Sequence, residues 1–134
     1  MKLELYAVLG WINVVLVTIS LSYFFVKLFF KKYKFKTKES KIKFAQAIKK
    51  ISKYHKINGV LILIVALIHA YLILGTVFYW HTGLVLFLAI LLNLLIYLLG
   101  KIKLLKKWLL FHKYTAILIF IFLIIHLTNP WLFG

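Results

Sequence analysis

The sequence predicts an all-α fold, an integral membrane four-helix bundle that forms one domain across residues 1–134. The first observation is that 65% of the residues are hydrophobic, which leaves too little polar surface to cover a water-soluble domain. The second is that residues 5–26, 57–100 and 114–134 carry no charge, and each stretch can cross a hydrocarbon core about 30 Å thick. The middle stretch is long enough to cross twice, so we expect four spans.

The four spans follow one another along the chain with short connections. We place them at about residues 5–30, 57–78, 82–99 and 108–128. Gly75 and the cluster at residues 79–82 predict the turn between spans two and three, and Asn129 with Pro130 ends the fourth span. In residues 39–53, apolar residues alternate with lysines at helical spacing. We expect this amphipathic segment to lie on the membrane or to extend span two.

The lysines predict the orientation of the chain. Twelve of the 18 basic residues lie within residues 27–56, five within residues 101–113, and Lys2 alone lies near the opposite face. The positive-inside rule therefore places the lysine-rich loops 31–56 and 100–107 in the cytoplasm and both termini outside. Because the charge flanks the spans, we expect membrane lipid with anionic headgroups, or an acidic protein, as partner and no nucleic acid.

Composition also bounds the compartment and the cofactors. The abundance of lysine without any arginine is typical of an AT-rich bacterial genome, so we expect a multi-pass protein of the cytoplasmic (inner) membrane of a bacterium. The N-terminus lacks a positively charged region, so we expect span one to be retained and not cleaved as a signal peptide. The absence of cysteine excludes disulfides, thiolate-ligated iron–sulfur clusters and covalent haem attachment.

Four histidines recur at matched spacing on spans two and four. His55 and His69 are fourteen residues apart, as are His112 and His126, which is close to four helical turns and a rise of roughly 21 Å. The two histidines of each span therefore share one face and lie at opposite depths of the bilayer. Because spans two and four run parallel, His55 is level with His112 and His69 is level with His126. The sequence thus predicts two cross-helix histidine pairs.

The same register appears as an internal repeat when residues 52–72 are laid on residues 109–129. Each copy contains a His-Lys pair and a small residue four positions after its first histidine, namely His55-Lys56 with Gly59 and His112-Lys113 with Ala116. Residues four apart share a helix face, so these small residues leave room for a flat cofactor beside the histidine. Small residues also serve ordinary helix packing in lipid.

Facing imidazoles in a helical bundle predict bound haem. Two imidazoles are typical axial ligands of a low-spin haem iron that transfers electrons. We therefore predict two haem b groups, one held by His55 and His112 near the cytoplasm and one held by His69 and His126 near the outside. The lysines available to the anionic propionates of the inner haem are Lys53, Lys56 and Lys113. The outer haem would use Thr82, Asn129 or backbone groups.

Other readings of the polar residues stay open. A proton relay or a transition-metal path could use the same histidines, but the two acidic residues, Glu4 and Glu39, lie outside the spans, which argues against a proton-coupled carrier. We interpret His81 as a solvated loop histidine and not as a ligand, although it could approach the outer haem or an acceptor site. We expect interhelical hydrogen bonds from Asn13, Ser20, Ser22 and Asn93.

At His55-Lys56 to His69 and at His112-Lys113 to His126, the chain resembles the ferric-reductase-like family of transmembrane haem domains, in which two helices each carry two histidines at similar spacing. The pattern is also similar to the four-helix haem bundle of cytochrome b. The resemblance covers residues 52–129. It implies bis-histidine ligation of two haems, by His55 with His112 and by His69 with His126.

The resemblance implies a transmembrane diheme b-type cytochrome that passes electrons from a cytoplasmic or quinol donor to an extracytoplasmic acceptor. Such a chain is an electron-transfer protein or the haem subunit of a membrane oxidoreductase. The sequence contains no Gly-rich nucleotide fingerprint, so the flavin domain of ferric reductases has no counterpart here. Two alternatives stay open: a haem-binding membrane anchor subunit of a multi-subunit oxidoreductase, and a histidine-lined divalent-metal carrier.

Overall fold

The computed structural model describes residues 2–76 and 78–133, and this part of the chain consists of helices and turns without a strand. The four helices are α1 (Lys2–Lys32), α2 (Lys38–Leu74), α3 (Thr82–Lys101) and α4 (Trp108–Thr128). Each is long and apolar enough to cross a membrane. The predicted helical class and the number of helices that could span a membrane are therefore confirmed. Position 77, which falls in the predicted second span, lies outside the described residues.

The ends of α2 differ from the predicted second span at both sides. The helix begins after Thr37, whose hydroxyl accepts a hydrogen bond from the Ser40 amide at 3.2 Å and so caps the first turn. The amphipathic residues 39–53 therefore extend the span as one continuous helix. At the other end Gly75 adopts a φ of 66°, a left-handed conformation that glycine tolerates best, and α2 stops at Leu74.

The bundle is built from two helical hairpins. α1 packs along α2 and α3 packs along α4, whereas α2 approaches α3 over a short stretch. In the first hairpin the buried Asn58 donates to the Leu16 carbonyl and to the Ser20 hydroxyl, both at 2.7 Å. In the second the Thr115 hydroxyl donates to the side-chain oxygen of Asn93. Polar bonds of this kind hold helices together where the surroundings are apolar.

The expectation of interhelical hydrogen bonds holds for three of the four polar residues. Ser20 and Asn93 take part in the bonds just described. In the amide orientation that satisfies both of its polar atoms, Asn13 donates to the Ile62 carbonyl at 3.2 Å and accepts from the Ala66 amide at 3.0 Å. The prediction is wrong for Ser22, because its hydroxyl donates to the carbonyl of Ile19 in its own helix, at 2.8 Å.

An aliphatic layer fills the middle of the bundle. All four helices contribute to this central layer, which consists of Val17, Ile62, Leu86, Ile119 and Leu123. Ile62 lies seven residues from each histidine of α2, and Ile119 lies seven residues from each histidine of α4. Seven residues of helix rise roughly 10 Å. The central layer therefore separates an inner histidine level, next to the lysine-rich ends, from an outer one.

Candidate functional site

The inner level consists of one imidazole from α2 and one from α4. The ring centroids of His55 and His112 are 6.2 Å apart, and their planes are inclined at 88°. Both side chains are half-buried. Two imidazoles that share one metal ion through bonds of about 2 Å have ring centres roughly 6 Å apart. The structure thus brings together the inner pair that the sequence predicts, at a separation that suits a shared metal ion.

A carbonyl orients the imidazole of His112. Its Nδ1 lies 3.3 Å from the backbone oxygen of Asn93 in α3. A carbonyl oxygen can only accept, so in this contact Nδ1 carries the proton and Nε2 keeps its lone pair. Histidines that bind metals usually have their other ring nitrogen held in this way. Asn93 therefore connects α3 to α4 twice. Its backbone oxygen contacts the ring of His112, and its side-chain oxygen accepts from the Thr115 hydroxyl.

His55 lacks such a contact. Its Nδ1 is buried, and within residues 2–76 and 78–133 it has no hydrogen-bond partner. Its ring packs against Tyr23 of α1 at 4.9 Å between centroids, and the ammonium of Lys27 lies 4.6 Å from the Tyr23 ring. Because buried polar atoms are nearly always paired, this nitrogen is available to a water molecule or to a bound group.

The remaining residues predicted for the inner site differ in their surroundings. A Cβ atom added at Gly59 would meet no atom within 4 Å among the described residues, so there is open space on that face, and Ala116 is half-buried. Lys56 lines an open, surface-exposed cavity of about 470 Å³ between α1 and α2. Lys113 instead extends toward α1, where its ammonium lies 5.9 Å from the ring of Phe24.

The cavity beside Lys56 is strongly basic. Its walls include four lysines and no acidic side chain among the described lining residues, which are Tyr23, Lys27, Ala45, Ile48, Lys49, Ser52, Lys53 and Lys56. These four exposed lysines favour an anion through charge-assisted hydrogen bonds. The chain therefore offers the anionic end of a bound group a basic environment next to the inner pair.

The outer level contains three histidines, and its close ring pair differs from the predicted one. The centroids of His81 and His126 are 6.2 Å apart, at an interplanar angle of 71°. His81 is only 8% exposed, so its interpretation as a solvated loop residue is wrong. The C-terminal turn covers it, because the Trp131 ring lies 5.9 Å from His81 and the Thr82 amide donates to the Pro130 carbonyl at 3.2 Å.

Thr82 orients the ring of His126. The Thr82 hydroxyl lies 2.7 Å from the Pro130 carbonyl and 2.9 Å from Nδ1 of His126. The hydroxyl must donate to the carbonyl, so its oxygen accepts the proton of Nδ1 and leaves the lone pair on Nε2. Thr82 is 2% exposed. The sequence predicts this residue at the propionates of an outer haem, whereas its hydroxyl is bonded to the ring of His126.

His69 packs against α1. Its Nδ1 donates to the backbone oxygen of Tyr6 at 2.8 Å, which leaves its Nε2 with a lone pair. A Cβ atom added at Gly10 would lie 2.9 Å from Cε1 of His69, so the ring rests directly on the α1 backbone. Within the described part of the chain, the structure does not bring His69 and His126 to the ring separation that His81 and His126 show.

Sequence reasoning missed two polar residues that bond to the neighbouring helix close to the histidines in sequence. Asn58 and Thr115 occupy equivalent places in the internal repeat, three residues after the first histidine of each copy, and each bonds to the partner helix of its hairpin. A polar residue at the same position of both copies could have predicted these two interhelical hydrogen bonds. By contrast, Tyr6 and Asn93 act on histidines through backbone carbonyls, and any residue type can supply a carbonyl.

Comparison with protein-family models, curated proteins and solved structures finds no match for the chain. The likeness to ferric-reductase-like and cytochrome b proteins therefore stays a prediction from the histidine spacing. No group of three or more histidine or acidic side chains that could hold a metal ion occurs in the described ranges. Protein sites for zinc usually supply three or four ligands, whereas haem iron takes two axial ligands from the protein.

Proposed function

We propose that the chain is a transmembrane diheme b-type cytochrome that passes electrons across the cytoplasmic membrane to an extracytoplasmic acceptor. The observation that carries this proposal is the state of the imidazoles. Four of the five histidines donate their Nδ1 proton to a carbonyl or hydroxyl, which leaves Nε2 free to bind iron: His69, His81, His112 and His126. These rings lie at two levels on either side of the central layer.

The central layer favours electrons over ions as the transported species. Residues 59–68 of α2 and 116–125 of α4, which join the two histidine levels, are entirely apolar. A divalent cation would lose its hydration shell in such a layer at a large cost in free energy. Each histidine level lies roughly 10 Å from the central layer along the helix axis. Electrons can tunnel through packed side chains over distances of this size. The histidine-lined metal carrier is thus the weaker candidate.

In this proposal the chain provides ligation, orientation and a dry interior. Bound haem would supply reversible one-electron chemistry at its iron. His55 and His112 ligate at the inner level, where Lys53 and Lys56 in the basic cavity suit the propionates. At the outer level His126 is one ligand and Thr82 holds its ring. The packed residues of the central layer keep water away from the path between the levels.

The lysine-rich end is the proposed cytoplasmic end. It joins the C-terminal ends of α1 and α3 to the N-terminal ends of α2 and α4. In the proposed orientation, the chain termini would lie outside. The donor is a cytoplasmic protein or a quinol, and the basic surface favours an acidic protein. The same surface supports a second candidate function, in which the chain is the haem-binding anchor subunit of a multi-subunit oxidoreductase.

The test is the haem content of the full-length protein purified in detergent. We expect two haem b groups per chain by the pyridine haemochrome method, and a reduced-minus-oxidised visible spectrum of low-spin haem. Thr18→Ala is the matched control for histidine variants, because the Thr18 hydroxyl bonds to Val14 in its own helix and lies away from the histidine levels. A colourless protein that takes up no added haem would contradict the proposal.

A further inference from the structure

The basic cavity is formed by facing sides of α1 and α2. On α1, Lys27 follows Tyr23 by four residues, so both side chains lie on one side of the helix. On α2, Lys49, Lys53 and Lys56 recur at intervals of four and three residues. The ammonium of Lys27 lies 4.6 Å from the centre of the Tyr23 ring, a cation–π contact that holds it at the cavity. Two helices therefore present their lysines to one open space.

Neither acidic side chain of the sequence lies at this cavity. The two acidic residues are Glu4 and Glu39. Glu39 forms an ion pair with Lys43 at 2.6 Å, and it precedes Lys49 by ten residues. Glu4 precedes Lys27 by 23 residues of the same helix, a rise of roughly 35 Å. The positive charges of the cavity are therefore available to an anion from outside the chain.

The cavity lies where the apolar parts of both helices end. Lys27 directly follows the uncharged residues 5–26 of α1, and Lys56 directly precedes the uncharged stretch 57–100. In a membrane, the border between an apolar stretch and its first lysines coincides with the headgroup region. The cavity would therefore lie at the level of the lipid phosphates.

Uncharged residues complete the wall of the cavity. Ala45 and Ile48 line it beside the lysines, and Ser52 adds a hydroxyl group. Closer to the connector between the two helices, the rings of Phe30 and Phe44 stack at 5.6 Å with an interplanar angle of 5°, which holds α1 against α2. Ammonium, hydroxyl and apolar groups together match the phosphate and glycerol of a lipid better than they match a free inorganic ion.

We infer that the basic cavity binds the phosphate of an anionic phospholipid from the leaflet at the lysine-rich end. Lys27, Lys49 and Lys53 pair with the phosphate oxygens. A zwitterionic phospholipid fits less well, because its ammonium would meet lysines and no carboxylate among the described lining residues. Haem binding is not required, since Lys27 and Lys49 have no part in the proposed haem site. Lys56 remains available to a propionate.

Two double variants of the full-length protein test this inference as a matched pair. The first combines Lys27→Gln with Lys49→Gln, and the second combines Lys31→Gln with Lys50→Gln. Each removes two positive charges from the same two helices, but Lys31 and Lys50 are not among the described residues that line the cavity. Native mass spectrometry of the protein in detergent, titrated with phosphatidylglycerol, measures the dissociation constant of the first bound lipid.

The first variant should bind phosphatidylglycerol much more weakly than the second. A lysine near an anionic headgroup contributes roughly fivefold in affinity, so we expect the dissociation constant to rise roughly 25-fold in the first variant. In the second it should change by no more than about twofold, because exposed charges at a distance are screened. Binding of phosphatidylcholine should be weak and equal in all proteins. Equal weakening of phosphatidylglycerol binding in both variants would overturn the inference, since it would show an effect of net charge alone.

The arginine variant at the same two positions checks that charge is the cause. Lys27→Arg with Lys49→Arg keeps both charges and should restore the wild-type dissociation constant. Binding as weak as that of the glutamine variant would contradict the inference.

Two competitors identify the source of the phosphate. Inorganic phosphate should displace phosphatidylglycerol no better than sodium chloride of the same ionic strength, and a polyglutamate peptide should not displace it at equal charge concentration. Specific displacement by inorganic phosphate would assign the cavity to a free anion, and displacement by the peptide would assign it to an acidic protein. Either result would overturn the lipid assignment.

Discussion

The inner and outer histidine levels are built differently. The inner level has two imidazoles, one from each copy of the internal repeat, and a basic cavity beside them. The outer level has three imidazoles, no lysine nearby in the sequence of α2, α3 or α4, and an aromatic cover from Tyr79 and Trp131. The repeat therefore accounts for the inner pair, whereas the outer pair depends on the start of α3 and the C-terminal turn.

The difference suggests a division of tasks between the two levels. Under the proposed function, the lysines beside the inner pair would stabilise the anionic end of a bound haem and would favour an acidic donor. The outer pair is held by hydrogen bonds to Tyr79, Thr82 and Pro130, which fix ring orientation without adding charge. Four predictions test this contrast between a charged inner level and an uncharged, oriented outer level.

The largest effect is expected from His112→Ala. The substitution removes the imidazole that would be one axial ligand of the inner haem. The haem content should therefore fall from two to one per chain, and the low-spin signal of the outer haem should not change. The pyridine haemochrome assay measures this directly, with Thr18→Ala as control. Two remaining low-spin haems would show that the inner pair is not a ligand pair.

The central layer should affect stability and not ligation. Ile119→Ala removes part of a side chain that is 6% exposed, which should lower the free energy of unfolding by about 2 kcal/mol through lost packing. Both low-spin haems should remain. Thermal unfolding of the purified protein in detergent measures the loss of stability. The visible spectrum shows whether both low-spin haems remain. Replacement of the exposed Ile117 by Ala is the matched control.

Removal of the hydroxyl that orients His126 should weaken the outer site alone. In Thr82→Val the ring loses its acceptor, so the affinity for the outer haem should fall by roughly tenfold. Titration of the haem-depleted protein with haem measures this loss. Equal weakening of both binding steps would indicate a general loss of structure and would count against a local role.

The smallest effect is expected from Thr115→Val at the inner level. Its hydroxyl donates to the side-chain oxygen of Asn93, and the carbonyls of Phe111 and His112 in its own helix are competing acceptors for the same proton. The loss of one interhelical hydrogen bond in an apolar bundle costs about 0.6 kcal/mol. We expect that decrease in the free energy of unfolding, measured in detergent, and an unchanged haem content. A loss of the inner haem would mean that Thr115 positions His112 more strongly than the contacts suggest.

The sequence predicted the features that follow from periodicity. Apolar runs located the four helices, and the spacing of fourteen residues placed His55 level with His112. The sequence did not reveal that α2 ends at Leu74, four residues before the predicted end of span two at residue 78. The reason is that the predicted turn could begin at any of several residues between Gly75 and residue 82. The burial of His81 was also out of reach, since it depends on a C-terminal turn that folds back over the start of α3.

Transmembrane electron transfer by the reconstituted protein tests the central claim most directly. The full-length chain would be placed in liposomes that contain ferricyanide, and a reductant that cannot cross the bilayer would be added outside. We predict that ferricyanide is reduced at a rate that depends on the protein and that this rate collapses in His112→Ala. Complete reduction of the haems without any loss of the entrapped ferricyanide would contradict the account.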